Sequence, residues 1–204
     1  MFIDFERQAT ANLLAFYTNI ELSKKKNAIV RLIEAMSRNN VVFALTGSSA
    51  HFFLGMGDDF NDYDVVIEKE SVDKFIDVFV NELGGRIIHE KNGKESFFDS
   101  RVFHAGELDG VEIDILSGFT VTTYNMRYTY DLKADEVEMI NGHIPVCPVE
   151  SSLILYGMMI QWQARRRYKY EMALQYLRQN GVSYPEILKV RDIPKFIRED
   201  IKTL

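Results

Sequence analysis

The sequence predicts an α+β protein with an α/β-type core that is preceded and followed by helices. Three observations indicate this class. Residues 6–39 show apolar side chains at helical spacing, residues 41–148 alternate short apolar runs with helical segments, and residues 149–204 return to helical spacing alone. We therefore expect an N-terminal helical segment over 1–40, a core over 41–148 and a C-terminal helical segment over 149–204.

Turn and capping residues separate the expected elements. Ser71 is a suitable helix N-cap, and Gly84-Gly85 and Asn180-Gly181 are typical of helix ends, whereas Asn141-Gly142 is typical of a two-residue hairpin turn. In chain order we expect helices within 6–39, a strand over 41–46, a helix over 48–55, a strand over 62–68, a helix over 71–83, strands over 86–90, 97–104 and 111–116, a hairpin over 135–146, helices over 149–164 and 166–179, and shorter helical pieces after Pro185 and Pro194.

Composition excludes several classes of protein. The chain has 204 residues, of which 47% are hydrophobic, and this content predicts a folded globule rather than a disordered chain. No apolar run reaches the roughly 18 residues that span a bilayer. The first residues lack the pattern of a signal peptide, and the single Cys147 excludes an internal disulfide framework, so we expect a cytoplasmic protein with no membrane segment. The net charge of −6 argues against indiscriminate binding to nucleic acid.

Two aspartates at alternate positions are the most informative feature of the sequence. Asp62 and Asp64 enter an apolar strand, where residues two apart point to the same face. A carboxylate pair on a rigid strand suits a hard cation such as Mg²⁺, although acids also occur on solvated edge strands. Gly47-Ser48 ends the preceding strand and opens a helix, where free N–H groups favour a phosphate, although the pair also fits an ordinary turn. Together they indicate nucleotide chemistry.

A third carboxylate comes from the run over 111–116. Glu112 and Asp114 alternate with apolar residues, so they share one face of the expected strand. Asp114 lies deeper in the apolar run, where an unpaired charge is more costly, and we favour it over Glu112. The sequence alone leaves both candidates open.

These residues, in this order, resemble the polymerase-β-like nucleotidyltransferase superfamily. The shared pattern is an apolar strand ending in Gly47-Ser48, a strand carrying Asp62-Tyr63-Asp64, and a later acid on a neighbouring strand at Asp114. The form is most similar to small bacterial members, which include antibiotic-modifying enzymes and toxins of toxin–antitoxin pairs. The resemblance extends over roughly residues 40 to 175, and it implies a nucleotidyltransferase-like mixed sheet flanked by helices.

The resemblance also implies a function. It would be metal-dependent transfer of a nucleoside monophosphate from a nucleoside triphosphate, such as ATP, to an acceptor hydroxyl. Asp62, Asp64 and Asp114 would hold two Mg²⁺ ions, and Asp114 would also help to remove the acceptor proton. The acceptor could be a small molecule, an RNA end or a protein side chain, and a partner protein fits the toxin-like relatives.

Triphosphate contacts are implied at three positions. Gly47 would let the backbone approach the phosphates and Ser48 would add a hydroxyl donor. Lys169 matches the basic residues that relatives place near the nucleotide, and it ends the basic stretch that begins at Arg165. That stretch also fits a solvated helix junction.

An inert protein is the alternative. Relatives often carry a basic residue shortly before the Asp-x-Asp strand and a lysine on the helix after Glu150. Here Asp58 and Asp59 stand in the first region, and Leu155 and Tyr156 stand in the second. These differences favour a catalytically inert nucleotidyltransferase-fold protein that binds a nucleotide or a partner.

Overall fold

A mixed seven-stranded sheet forms the centre of the molecule. The computed structural model describes residues 3–91, 97–123 and 126–204. The helices are α1 (Phe5–Thr18), α2 (Ser23–Arg38), α3 (Gly47–Phe53), α4 (Val72–Asp77, continued by a π-helical turn over Val78–Glu82), α5 (Val149–Met159), α6 (Arg166–Asn180) and α7 (Lys195–Ile201). The strands are β1 (Phe43–Thr46), β2 (Tyr63–Ile67), β3 (Arg86–Glu90), β4 (Val102–Leu108), β5 (Val111–Ser117), β6 (Phe119–Thr123), β7 (Met126–Tyr130), β8 (Glu138–Ile140) and β9 (Ile144–Val146).

The strand order in the sheet is β3-β4-β5-β2-β1-β9-β8, and β6 and β7 form a separate hairpin. The pairs β2–β5 and β1–β9 are parallel, whereas the remaining pairs of the sheet are antiparallel. The expected mixed sheet flanked by helices is therefore confirmed. Among the described residues, no helix is both long enough and apolar enough to cross a membrane.

The middle of the sheet is buried on both faces. Val65, Val66 and Ile67 of β2 are each at most 1% exposed, and Ile113 and Ile115 of β5 are fully buried. Helices cover both sides of such a strand, which is why its apolar residues run continuously instead of alternating. The two acid-bearing strands therefore lie in the most rigid part of the fold.

Local turn chemistry explains several element boundaries. Asn141 and Gly142 have φ values of 50° and 71°, as a type I′ hairpin turn requires, and they join β8 to β9. Gly84 and Gly181, with φ of 71° and 85°, follow the π-helical turn and α6. These three predictions from the sequence are confirmed.

Other boundaries differ from the sequence predictions. The helix expected over 149–164 ends at Met159, the strand expected over 97–104 begins at Val102, and the chain after Pro185 forms turns rather than a helix. Ser71 does not cap α4; its hydroxyl accepts from the Val42 N–H, because a 3₁₀ turn already precedes the helix. The β6–β7 hairpin was not predicted at all, since its burial comes from packing on α5.

The N-terminal helix α1 is fastened to the loop that precedes the Asp-x-Asp strand. The Asn12 amide donates to the carbonyls of Phe52 and Gly57, at 2.7 Å each. Gly55 lies between these residues with φ of 75°, and a Cβ there would come within 2.2 Å of the Phe5 carbonyl oxygen. Only glycine allows the loop to pass this close to the backbone of α1.

Gly55→Ala should therefore destabilise the fold more than an ordinary substitution at positive φ. Gly84→Ala is the matched control, because Gly84 also has positive φ but has no neighbouring atom within 4 Å of the point where a Cβ would lie. We expect a loss of about 1 kcal/mol for the control and at least about 3 kcal/mol for Gly55→Ala, measured by chemical denaturation. Equal losses of stability in the two variants would show that α1 moves away from a Cβ at position 55 with little loss of free energy.

Candidate active site

Three carboxylates converge at one end of β2 and β5. Asp62, Asp64 and Asp114 each offer an oxygen, and these oxygens lie within 4.8 Å of one another. Asp64 and Asp114 face each other across the parallel β2–β5 pair, so their side chains lie next to each other on one face of the sheet. Asp62 directly precedes β2 and is two residues from Asp64, which brings it to the same side. We call these three residues the carboxylate cluster.

The turn after β1 is shaped to receive the Asp64 carboxylate. Gly47 has φ of 66°, and a Cβ at this position would lie 1.9 Å from Oδ2 of Asp64. A glycine is therefore required for the carboxylate to lie against the turn. Ser48 lines the same cavity, whereas the Ser49 hydroxyl donates to the Thr46 carbonyl at 3.0 Å and stabilises the turn itself.

The structure shows which of the two acids of β5 lies in the carboxylate cluster, a choice that the sequence left open. Asp114 is 5% exposed and belongs to the carboxylate cluster. Glu112 lies on the same face but two residues nearer the strand start, and its side chain is 55% exposed. Asp114 is thus the acid of β5 that could hold a metal ion together with Asp62 and Asp64, and Glu112 lies at the rim.

A basic face lies across the cavity from the acids. Arg165, Arg166 and Lys169 line the cavity, as expected for residues three and four apart on the start of α6, whereas Arg167 is exposed and does not line it. The Arg166 Nε donates to Oε1 of Gln163 at 2.9 Å, which fixes the guanidinium. Burial and the neighbouring Arg166 lower the pKa of Lys169.

Tyr156 supports these cations from α5. Nζ of Lys169 lies 5.4 Å from the centre of its ring, and the Arg166 guanidinium carbon lies 5.7 Å from it. Tyr156 stands where relatives were expected to carry a helix lysine, so α6 supplies positive charge to a region that α5 leaves neutral.

Burial and the neighbouring acids raise the pKa of two members of the carboxylate cluster, Asp64 and Asp114. Desolvation, followed by the charges of Asp62 and Asp114, raises the pKa of Asp64 from an ordinary aspartate value to about 7. Burial likewise raises the pKa of Asp114, although its hydrogen bond from Lys91 opposes the shift. A cation bound among the three oxygens would relieve both effects.

Lys91 is a site residue that the sequence analysis missed. Its ammonium donates to both carboxylate oxygens of Asp114, at 2.5 Å and 2.7 Å, and lies 3.5 Å from Oε1 of Glu112. Burial disfavours this ammonium, but the hydrogen bond and the charges of the two acids raise its pKa overall. Lys91 follows β3, which lies two strands away from β5 in the sheet. No local sequence pattern therefore indicates that Lys91 pairs with Asp114.

Aromatic and apolar side chains complete the cavity, which has a volume of about 630 Å³. Phe98, Phe103 and Phe119 form an aromatic wall, with the Phe98 ring perpendicular to Phe103 at a centroid distance of 5.2 Å. Such a wall limits water and offers a stacking surface to a planar ligand. A larger groove of about 900 Å³ lies elsewhere, between α2 and the β8–β9 hairpin, and none of the three cluster aspartates lines it.

His51 is buried beside the site but does not belong to its chemistry. Burial, and then the charge of Lys169, lower the pKa of His51 to about 3, so the imidazole is neutral. Its ring packs edge-on against Tyr156 at 5.1 Å, and its Nε2 has no hydrogen-bond partner. The neutral ring fills space behind the basic face.

The donor set fits a hard divalent cation. Three carboxylates at the ends of two adjacent buried strands offer the oxygen ligands that Mg²⁺ and Mn²⁺ prefer. Burial, followed by the charges of Asp62 and Asp114, raises the pKa of Asp64, and a bound divalent cation would oppose that rise. Asp58 and Asp59, which precede the cluster in sequence, are exposed to solvent and do not line the cavity.

Comparison with known proteins gives matches in structure only. No protein-family model matches the chain, and no curated protein matches it in sequence. A crystal structure of ANT(2'')-Ia in complex with adenylyl-2''-tobramycin superposes with a TM-score of 0.53 at 13% identity, covering 86% of this chain and 95% of that chain. The solution structure of this antibiotic-resistance factor also gives 0.53, at 14% identity, covering 87% and 90%.

A third solved structure extends the likeness. A Thermotoga maritima protein described as a nucleotidyltransferase superposes with a TM-score of 0.50 at 16% identity, covering 75% of this chain and 92% of that chain. These matches establish that the chain shares its fold with solved structures of nucleotidyltransferases, as the resemblance predicted. At such identities the likeness concerns the fold, and the activity depends on the site.

The raised pKa of Asp64 predicts how stability depends on pH without metal. An unfolded aspartate ionises near pH 4, whereas folded Asp64 ionises near pH 7. The folded state therefore binds the extra proton between these values, and its stability falls as the pH rises through this window. Asp64→Asn removes this fall, so in the presence of EDTA it should exceed wild type by roughly 2 kcal/mol above pH 7, after allowance for solvent screening.

Chemical denaturation from about pH 4 to about pH 8 would measure this effect. The gain from Asp64→Asn should shrink toward pH 4, where the folded wild-type carboxyl is protonated and the unfolded one is about half protonated. Asp73→Asn, which removes an exposed aspartate from α4, is the control and should show no such trend. A gain that is independent of pH would contradict the assignment.

Proposed function

We propose that the protein is a metal-dependent nucleotidyltransferase, which moves a nucleoside monophosphate from a nucleoside triphosphate to an acceptor hydroxyl. The observation that supports this most is the placement of the carboxylate cluster and a basic face in one cavity of about 630 Å³. A triphosphate is an anion that travels with divalent cations, so a site for it needs both kinds of charge. The nucleotidyltransferase fold agrees with this function.

The carboxylate cluster would hold two Mg²⁺ ions. When bound, these ions neutralise the phosphate charge and stabilise the attacking and leaving oxygens. Asp62 and Asp64 supply ligands from one strand, and Asp114 supplies a ligand from the next. Gly47 keeps the turn close enough to Asp64 for its backbone to meet the same phosphates, and Ser48 adds a hydroxyl donor.

Arg165, Arg166 and Lys169 would bind the triphosphate from the opposite side. Arg166 is held by Gln163 and rests against Tyr156, so its guanidinium loses little freedom when an anion binds. Lys169 carries a cation into a partly buried position, where a phosphate oxygen would be a better partner than water. The aromatic wall would offer a stacking surface to the base or to the acceptor.

Asp114 would act on the acceptor. The acceptor oxygen attacks the α-phosphorus, the bond from that phosphorus to the bridging oxygen breaks, and pyrophosphate leaves. The hydroxyl proton would pass to the Asp114 carboxylate, which lies in the carboxylate cluster and can accept it as a general base. Positioning and charge neutralisation provide the rate enhancement, and no covalent enzyme intermediate is needed.

One observation favours an inert nucleotide-binding protein as the second candidate. Lys91 donates to both oxygens of Asp114, and a permanent ion pair of this kind would stand where a metal ligand is required. An inert protein would bind a nucleoside triphosphate through the basic face and would show no product with any acceptor.

The test is transfer of label from an α-labelled nucleoside triphosphate in the presence of Mg²⁺. Acceptors would include aminoglycosides, RNA ends and protein hydroxyls, and thermal-shift titration with each triphosphate would report binding. Asp62→Asn and Asp64→Asn should each lower transfer at least about 1,000-fold while the protein stays folded. Transfer at the wild-type rate in either variant would exclude the metal-dependent mechanism.

Asp114→Asn and Glu112→Gln should differ strongly in the chemical step. At saturating Mg²⁺ and triphosphate, we expect Asp114→Asn to lower kcat at least about 100-fold with little change in triphosphate affinity, because it removes the base. Glu112→Gln should keep kcat within about threefold, because this acid lies at the rim. The reverse ranking would assign the catalytic role to Glu112.

The basic face should bind triphosphate through three residues and not through the fourth. We expect replacement of Arg165, Arg166 and Lys169 by glutamine to raise the Kd for the triphosphate by about tenfold or more, since each loses a charge-assisted contact. Arg167→Gln is the matched control on the same helix and should change the Kd less than about twofold. Fluorescent-nucleotide titration measures both.

The same variants distinguish the acceptor classes. If the acceptor is RNA, loss of these charges should also weaken RNA binding. The slope of log K for RNA against log salt concentration should become shallower by roughly 0.7 to 0.9 for each phosphate contact removed. If the acceptor is a small molecule, only the triphosphate affinity should change. Unchanged affinity for both ligands would show that these residues form only a solvated helix end.

A further inference from the structure

Lys91 lies where a cation at Asp114 would lie. Its Nζ is 2.5 Å and 2.7 Å from the two carboxylate oxygens of Asp114, a position between both oxygens that a bidentate cation would take. The side chain is 25% exposed, whereas that of Asp114 is 8% exposed, so the pair is largely shielded from water. In a shielded site this ammonium is in direct contact with one acid of the three-carboxylate cluster.

The carboxylate of Glu112 lies close enough to Lys91 to serve as a second partner for its ammonium. Oε1 of Glu112 lies 3.5 Å from the Lys91 ammonium, on the solvent side of the pair. The backbone of Lys91 is held to the sheet edge, because its N–H donates to the Phe103 carbonyl at 2.7 Å. The flexible stem above this anchor can therefore turn the ammonium from Asp114 toward Glu112 while the strand stays in place.

Electrostatics makes the two cations at Asp114 mutually exclusive. An ammonium in contact with both oxygens repels an incoming divalent ion, and at contact distances this repulsion is large at the effective dielectric of a partly buried site. Yet without Lys91 the metal-free protein would still hold three grouped carboxylates, and Asp114 would lose the ion pair that it forms with Lys91. The Lys91 side chain thus stabilises the metal-free cluster and opposes the binding of a divalent ion to it.

We propose that Lys91 is an exchangeable counterion of the carboxylate cluster: it pairs with Asp114 in the metal-free protein and moves to Glu112 when a divalent ion binds. This inference rests on the proposed function, since it assumes that the cluster binds metal. Its consequence is that the free protein binds divalent ions weakly, so that metal binding is coupled to arrival of the anionic triphosphate.

The test is titration of the metal-free protein with Mn²⁺, followed by the electron paramagnetic resonance signal of the free ion. Lys91→Met keeps the length of the stem and removes the charge, and it should bind Mn²⁺ at least about tenfold more tightly than wild type. Arg86→Met is the matched control. It removes one positive charge and one ion pair from β3, the strand that Lys91 follows, roughly 16 Å from Lys91 along the chain, and should change the affinity less than about twofold.

A purely structural role for Lys91 predicts a different pattern. Loss of a structural ion pair would lower both the stability and the metal affinity. The exchange mechanism instead predicts that Lys91→Met lowers the melting temperature in EDTA but raises the Mn²⁺ affinity. Lys91→Arg retains the pair and holds Asp114 through a bidentate guanidinium, so it should bind Mn²⁺ more weakly than wild type. This second variant keeps the test valid if Lys91→Met does not fold.

Glu112→Gln tests the exchange partner. In wild type it should weaken Mn²⁺ binding, because Lys91 loses its second carboxylate and stays on Asp114. In the Lys91→Met background the same substitution should have a clearly smaller effect, since only the general loss of negative charge remains. Equal effects in both backgrounds would show that Lys91 does not move to Glu112.

The failures of the two proposals are distinguishable. If wild type binds Mn²⁺ and Lys91→Met binds it equally or more weakly, the counterion role is wrong and the proposed function stands. If both proteins bind Mn²⁺ only when a nucleoside triphosphate is added, the counterion role is wrong and the proposed function stands. If neither protein binds Mn²⁺ with or without a nucleoside triphosphate, the metal-dependent function is wrong, and the exchange falls with it.

Discussion

The repulsion among three carboxylates held at the centre of a buried sheet is the constraint on which the rest of the site depends. Asp64 and Asp114 lie side by side because β2 and β5 are parallel neighbours, and the apolar residues that fix those strands leave the acids no freedom to separate. Each feature around the cluster addresses that charge. Gly47 gives Asp64 room against the turn, Lys91 pairs with Asp114, and the basic face of α6 lies across the cavity.

The rigidity that makes the cluster costly also makes it useful. A metal site needs ligands that are already in place, and side chains on central strands are positioned more accurately than side chains on loops. The stability that a metal-free protein loses by grouping acids is returned when a cation binds, since binding to the folded state alone adds free energy to folding. Lys91, which moves in the proposed exchange, lies at the end of the edge strand β3.

The comparisons and the site answer different questions. Structures that share 13% to 16% identity with this chain establish the arrangement of strands and helices. Within that arrangement the chain places its own residues: cations come from α6, Tyr156 occupies the α5 position expected for a lysine, and phenylalanines line the cavity. In the proposed function, the choice of acceptor and the control of metal binding would depend on such residues of the site.

The sequence by itself determined the elements that carry local signals. Hydrophobic periodicity, the Asn141-Gly142 turn and the alternation of Asp62 with Asp64 are short-range patterns, so most helices and strands, the hairpin and the two acids on one side of a strand were predictable from them. The mixed sheet was predicted through the resemblance to a known family. Only the tertiary structure decided which strands are neighbours. It placed Asp114 rather than Glu112 in the cluster, brought Lys91 from two strands away, and turned Arg167 away from the cavity. Strand pairing across long stretches of chain depends on packing of the whole core, and no short segment of sequence encodes it.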